Sequence, residues 1–314
     1  MKTILKNYSN SHFIASRLKY KLCILSSLET YKFVTKWGKF GALDGEFNLP
    51  TDVAIDHNDD VFVADSWNHR IQKFSKRGTF KTKWGQIGQG NGDFYNPWSV
   101  ITDLNNHEVY VGEYSNHRIQ VFDTSGKYLR KWGNYGNGNG QFYAPLGLAI
   151  QAGQIYVADM GNDRIQVFDK NGNFVKKWGT RGVGNGQFNN PQSIASDTQG
   201  YLYVTDTNNH RIQKFTKDGI YINQWGSLGS NDNQFVSPVG IIVDNFDKVY
   251  VTESAHKVKK FDSNGNFITS FGSPGAADGE LNNPDGIAID PARRVYVADS
   301  VNNRIQVFER SHNN

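Results

Sequence analysis

Three marks repeated along the chain predict an all-β fold, a six-bladed β-propeller of four-stranded antiparallel blades. The first is an aromatic residue followed by glycine, with the aromatic at Trp37, Trp84, Trp132, Trp178, Trp225 and Phe271. The second is a proline, at Pro50, Pro97, Pro145, Pro191, Pro238 and Pro284. Both recur in steps of 47, 48, 46, 47 and 46 residues. The third is an acid, Asp65, Glu113, Asp159, Asp206, Glu253 or Asp299, leading into Arg-Ile-Gln-x-Phe. That motif occupies residues 70–74, 118–122, 164–168, 211–215 and 304–308, with a degenerate copy at 257–261 after a loop one residue shorter. Self-similarity at such a period marks a repeat architecture. Units of this size suit a propeller, whose radial arrangement protects short sheet edges.

Each unit reads as four strands. In the first, residues 52–56 form a short apolar run after Pro50. His57, Asn58, Asp59 and Asp60 make a turn, and 61–64 form the second strand. The loop Ser66-Trp67-Asn68-His69 leads to the third strand, 70–74. A turn containing Gly78 leads to the fourth, 79–84. A glycine recurs four residues past each motif phenylalanine, at Gly126, Gly172, Gly219 and Gly265, where a tight hairpin turn needs positive φ. In the fourth strand Phe80, Thr82 and Trp84 alternate with Lys81 and Lys83, the period of a strand with one face packed and one wet. The inner strands are apolar more continuously, as strands covered on both faces should be.

The ends of the repeat predict how the ring closes. The sixth unit lacks a fourth strand after Phe308, whereas Phe33, Thr35 and Trp37 give the pattern of an orphan fourth strand before the first unit. The N-terminal strand should therefore complete the last blade. The expected organisation is a basic, disordered leader at 1–28, the propeller at 29–310 and a tail at 311–314.

Composition narrows the function classes. No run of 18 apolar residues is present, so no membrane-spanning helix is expected. The single cysteine, Cys23, excludes a disulfide framework and a cysteine zinc site within the chain. The formal charge of +4 suggests nucleic acid until it is located. Five of the 34 basic residues and none of the 30 acidic ones fall in residues 1–28, leaving 29 basic against 30 acidic residues in the ring. The leader's apolar run, 22–28, is interrupted by Ser26 and Ser27 and makes a poor secretory signal. A disordered tail or an over-long gene start is the leading reading, with organelle targeting as the alternative. The expected location is cytoplasmic.

These residues resemble the NHL-repeat family of six-bladed propellers, over roughly 29–310. The carriers are the apolar start after each proline, Val-[Tyr/Phe]-Val-Ala-Asp, and Asn-His-Arg-Ile-Gln at Asn68-His69-Arg70, Asn116-His117-Arg118 and Asn209-His210-Arg211. The last motif drifts to Asn162-Asp163-Arg164 and Asn302-Asn303-Arg304. The resemblance implies a binding domain above all. Some family members end tripartite-motif ubiquitin ligases and bind proteins or single-stranded RNA, and others are peptidyl-hydroxyglycine lyases. Fold does not settle function. In the usual propeller path the Trp-Gly loops, the prolines and the acid-to-Arg loops share one face.

Four features on that scaffold are candidates. The ring of acids and bases (Asp65 with Arg70, Glu113 with Arg118, Asp159 with Arg164, Asp206 with Arg211, Asp299 with Arg304) could be an anion groove. Repetition in step with the fold favours structural ion pairs within each blade, and Glu253 with Lys257 would be the fifth blade's pair. The histidines His69, His117, His210 and His256 occupy equivalent loop positions on a wide ring, beyond shared metal-ligand reach, and His57, His107 and His312 fall in opposite-face turns or the tail. No metal, cofactor or catalytic residue is expected. The Gly-x-Gly stretches such as 88–92 and 136–140 precede strands, so the strand–loop–helix context of a phosphate loop is missing. The sharpest candidate is what breaks the symmetry. Trp67, Trp98 and Tyr114 are aromatic where other blades are not, with Tyr95 nearby and Arg70 and Arg118 adjacent. Such a platform could hold an extended peptide or stack bases, and its rival reading is local blade packing. The expected function is a monomeric binding or scaffold module for a protein or peptide. The alternatives are single-stranded RNA binding, a ubiquitin-ligase adaptor role without a RING of its own, and a metal-dependent lyase or hydrolase in the central channel.

Overall fold

The computed structural model describes residues 29–311. The expected leader, 1–28, and residues 312–314 of the expected tail lie outside the described residues. No helix among the described residues is long and apolar enough to cross a membrane.

Among the described residues, twenty-four strands form six four-stranded antiparallel sheets. Blade 1 is β2 (Pro50–Ile55), β3 (Val61–Asp65), β4 (Arg70–Phe74) and β5 (Phe80–Trp84). Blade 2 begins with β6 (Pro97–Asp103) and β7 (Glu108–Glu113), and the pattern repeats to blade 6. Blade 6 consists of β22 (Pro284–Ile289), β23 (Val295–Asp299), β24 (Arg304–Arg310) and the N-terminal β1 (Tyr31–Trp37). β1 runs antiparallel to β24, with Tyr31 opposite Arg310 and Trp37 opposite Ile305. It also reaches blade 5: the Tyr31 and Tyr250 hydroxyls are 2.9 Å apart, and Glu29 is paired with Lys260.

The apolar residues fall into six clusters, one at each seam between neighbouring blades. Strand β3 is buried along its whole length, because its sheet is covered on both faces. In β5 the burial alternates, with Phe80, Thr82 and Trp84 half-buried and Lys81 and Lys83 exposed. The periodic Trp and turn Gly belong to one contact. Gly78 sits under Trp37, where a Cβ would come within 2.6 Å of the indole, and its φ is +82°. The same contact joins Gly126 to Trp84, Gly172 to Trp132, Gly219 to Trp178 and Gly265 to Trp225. Tryptophan on one blade and glycine on the next are therefore two halves of one packing rule.

The acid-to-Arg loop is fixed by hydrogen bonds that bury its charges. Asp65 accepts the Asn48 backbone N–H at 2.8 Å and Arg70 Nε–H at 2.7 Å, together with donors from Asn68 and Gln72. The rest of the Arg70 guanidinium donates to the carbonyls of Ala42, Leu43 and Glu46. Arg118–Glu113, Arg164–Asp159, Arg211–Asp206 and Arg304–Asp299 repeat the pair at 2.5 to 2.7 Å. The motif glutamine is explained as well, since Gln72 bridges the Gly45 N–H, the Glu46 carbonyl and Asp65.

Blade 5 departs from the expected Glu253–Lys257 pair. Lys259, at the glutamine position, takes the acid at 3.1 Å and donates to the carbonyls of Asn231 and Gln234. Residues 257 and 259 lie on the same strand face, so the buried cation shifts by one side-chain period without leaving its site.

Candidate functional site

A second repeated contact closes the ring at its seams and accounts for the periodic histidines. Each of His69, His117, Asp163, His210, His256 and Asn303 is left-handed, with φ between 52° and 64°. Each accepts a hydrogen bond from the backbone N–H just before the proline of the next blade. His69 Nδ1 accepts from Asn96, His117 from Ala144, His210 from Ser237 and His256 from Asn283, at 3.0 to 3.2 Å. Asp163 Oδ1 accepts from Asn190 and Asn303 Oδ1 from Leu49, at 2.8 and 2.9 Å. All three residue types place an acceptor one atom beyond Cγ, which is why the sequence drifts among them. An accepting Nδ1 puts the neutral ring's proton on Nε2. Burial holds His69 and His117 below the usual histidine pKa, against the opposing pull of Asp65 and Asp159 respectively.

These contacts remove much of the polar ring from the surface. Arg70 and Arg118 are only 5% and 6% exposed, with their guanidinium nitrogens engaged as described. Both guanidinium groups lie in their blades' buried ion pairs and hold the loops from beneath.

The aromatics stay on the surface. Trp67 is 58% exposed on its single 3-10 turn, residues 66–68, and no ring stacks on it among the described residues. Trp98, half-buried, lies 5.7 Å from Tyr114 between ring centroids. Tyr95 packs edge-on against His69 at 5.5 Å. The structure thus pairs Trp98 with Tyr114 and Tyr95 with a seam histidine, while Trp67 stands on the adjoining loop. Two tyrosines missed in the sequence extend the group into blade 3. Tyr135 and Tyr143 are exposed, 5.6 Å apart, and both contact His117. Tyr143 could have been found, because it stands two residues before its proline as Tyr95 does.

The first strands of all six blades line an axial channel of about 250 Å³. Asp52, Trp98 and Asp285 share its lining. Asp52 accepts the N–H groups of Val53 and Val100, at 2.9 and 3.0 Å, and Asp285 accepts from the Ser300 hydroxyl at 3.0 Å. Neither carboxylate has a cationic partner among the described residues. Desolvation pushes both pKa values up to about 7, and the Asp285 charge adds to the rise at Asp52. The sequence signal for Asp285 was slight: it is the one acid in the column that holds Trp98. Among the described residues no cluster of three or more His, Cys, Asp or Glu is arranged to hold a metal ion.

With this geometry in place the comparisons with known proteins become informative. The NHL repeat model matches residues 47–74, 94–122, 142–168, 188–215 and 281–308. The chain carries five NHL repeats and is an NHL-repeat six-bladed propeller. The fifth blade, with its Lys259 substitution and shortened loop, lies outside the matched segments yet folds as the others do. Protein brain tumor of Drosophila melanogaster is 50% identical over 46 residues, 15% of this chain and 4% of that protein. The human E3 ubiquitin-protein ligase TRIM32 is 38% identical over 56 residues, 18% of this chain and 9% of the ligase. These curated relatives are therefore matched over a small part of their length. Among solved structures, a Bacteroides thetaiotaomicron protein of unknown function superposes with a TM-score of 0.71 at 17% identity, over 90% of this chain and 76% of that one. A streptogramin B lyase superposes with a TM-score of 0.63 at 14% identity, over 91% and 99%. At these identities the superpositions speak to fold alone.

Proposed function

We propose that this propeller is a binding module that captures an extended segment of a protein partner on the loop face of blades 1–3. The observation that carries the reading is the concentration of Trp67, Tyr95, Trp98, Tyr114, Tyr135 and Tyr143 on three consecutive blades. Aromatic side chains on a rigid scaffold supply large contact area at low entropic cost and anchor binding energy in a few places. A peptide fits this face better than single-stranded RNA does. RNA would need cations beside the rings, and the periodic arginines are committed beneath the loops. The name of the ligase relative extends the proposal to an adaptor role, in which the same face presents a substrate to a separate enzyme.

Selection of linear peptides from a random phage-displayed library tests the reading. Wild-type protein should enrich peptides whose Kd rises at least about tenfold in the Trp67→Ala/Trp98→Ala variant, an anchor-sized loss. Binding unchanged in that variant would place the site elsewhere. Tight binding of single-stranded oligonucleotides, falling steeply with salt, would favour RNA.

A further inference from the structure

Another departure from the repeat lies on the opposite face. His57, in the turn between β2 and β3, and His107, in the turn between β6 and β7, are fifty residues apart and both exposed. Their Nδ1 atoms are 3.1 Å apart, with ring centroids at 4.2 Å. Both turns are built by hydrogen bonds. Asp56 receives the backbone N–H groups of Asn58 and Asp60 on Oδ1, and the His107 N–H donates to the Asp103 carbonyl at 3.0 Å. The matching seam between blades 4 and 5 carries an ordinary hydrogen bond, from Thr198 to Asp247. The contact position is thus structural in one seam and occupied by two imidazoles in the other.

We propose that His57 and His107 form a two-histidine surface site for a borderline divalent cation of the zinc class, joining blades 1 and 2. The spacing carries the inference. Two nitrogens about 2.05 Å from one ion lie about 3.3 Å apart at a tetrahedral angle and about 2.9 Å apart at a right angle. The observed 3.1 Å falls between these values. Without a cation, one ring must donate to the other and a lone pair is given up to satisfy the contact. With a cation, both neutral rings direct lone pairs at it. Imidazole selects zinc, nickel and copper over magnesium and calcium. The nearby carboxylates, which would favour a hard ion, mostly pair with lysines: Asp59 with Lys76, Asp60 with Lys73 and Lys81, and Asp103 with Lys170, while the buried Asp56 faces Lys73 at 3.8 Å. Two protein ligands leave the remaining positions to water, so the site is open rather than a closed four-ligand structural centre.

The ligands come from different blades, and the unfolded chain does not hold them together. Binding should therefore raise Tm through mass action on the folded state. The test is thermal denaturation of the full chain, stripped with chelator, against Zn²⁺ and separately Mg²⁺, with calorimetric titration of Zn²⁺. The variants are His57→Ala and His107→Asn. Asparagine tolerates the left-handed φ of 56° at position 107, and both side chains are exposed, so metal-free Tm should stay within a degree or two of wild type. The expected result is a saturable Tm rise with Zn²⁺ and none with Mg²⁺. Either substitution should weaken Zn²⁺ binding by more than the roughly tenfold loss that removing outer-shell support causes. Equal Zn²⁺ affinity in the double variant, or no saturable shift below about 1 mM Zn²⁺, overturns the proposal.

Discussion

Blades 1–3 and blades 4–6 share one skeleton and differ in what they present. In both halves the acid takes a buried cation, the Trp covers a turn glycine of the next blade, and a left-handed residue latches the next pre-proline N–H. On the loop face the halves part. Where blades 1–3 carry Trp67, Tyr95, Trp98 and Tyr143, the aligned residues of blades 4–6 include Asn208, Asn189, Gln192 and Asn282. Six-fold recurrence identifies what the ring needs to stand. Departure from it identifies what one half has been given beyond that need.

The largest expected effect breaks the skeleton at its joint. Deleting residues 29–37 removes β1, exposes the β24 edge and severs the Tyr31–Tyr250 and Glu29–Lys260 contacts. Tm should fall by roughly 10 °C or more, and a truncated chain melting like the full one would refute closure by β1. Next is the buried pair. Arg164→Ala leaves Asp159 desolvated without its cation and should cost about 3–5 kcal/mol in urea unfolding. A loss below about 1 kcal/mol would mean that the pair behaves as a surface salt bridge.

The channel acids sharpen the comparison in the opposite direction. A folded-state pKa near 7, against an unfolded value near 3.8, means that the folded state binds the extra proton between these limits. Stability from this group therefore declines as pH rises from about 4 to about 7. Asp285→Asn should raise Tm by roughly 2–6 °C at pH 8, with the gain vanishing towards pH 4. A destabilised Asn variant at pH 8 would show that the carboxylate has a stabilising partner in the channel.

The seam latch is the smallest of these effects. His117→Ala should cost about 1 kcal/mol, and His117→Asn should recover most of it, because Asn303 makes the same bond in blade 6. A folded pKa below the unfolded 6.5 makes the histidine's contribution complete above that value and lost as pH falls through the folded pKa. The Asn variant should lose this part of the pH dependence, as melting curves at pH 5 and pH 8 would reveal.

The fold was legible because the strand, turn and pairing marks recur five or six times, and phase agreement among independent marks leaves little freedom. The site was legible only in part. Trp67, Trp98 and Tyr114 stood out as exceptions within aligned columns. Tyr135 and Tyr143 did not, because tyrosine in a glycine-rich loop reads as punctuation until its exposure is known. The pairing of Arg70 and Arg118 with their blades' acids was legible from the repeat, but the carbonyls that occupy the rest of their guanidinium groups come from residues 24 to 29 positions away and were not. His57 and His107 meet only because adjacent blades stagger their turns into contact, which no spacing along the chain encodes.

The central claim is that the aromatic face of blades 1–3 is spare to the fold and spent on binding. The most direct measurement compares Tm and peptide Kd in the Trp67→Ala/Trp98→Ala variant, using a peptide selected on the wild-type protein. The expected result is a Tm within a few degrees of wild type and a Kd raised at least about tenfold. A large fall in Tm with unchanged Kd would make these rings part of the blade packing and contradict the account.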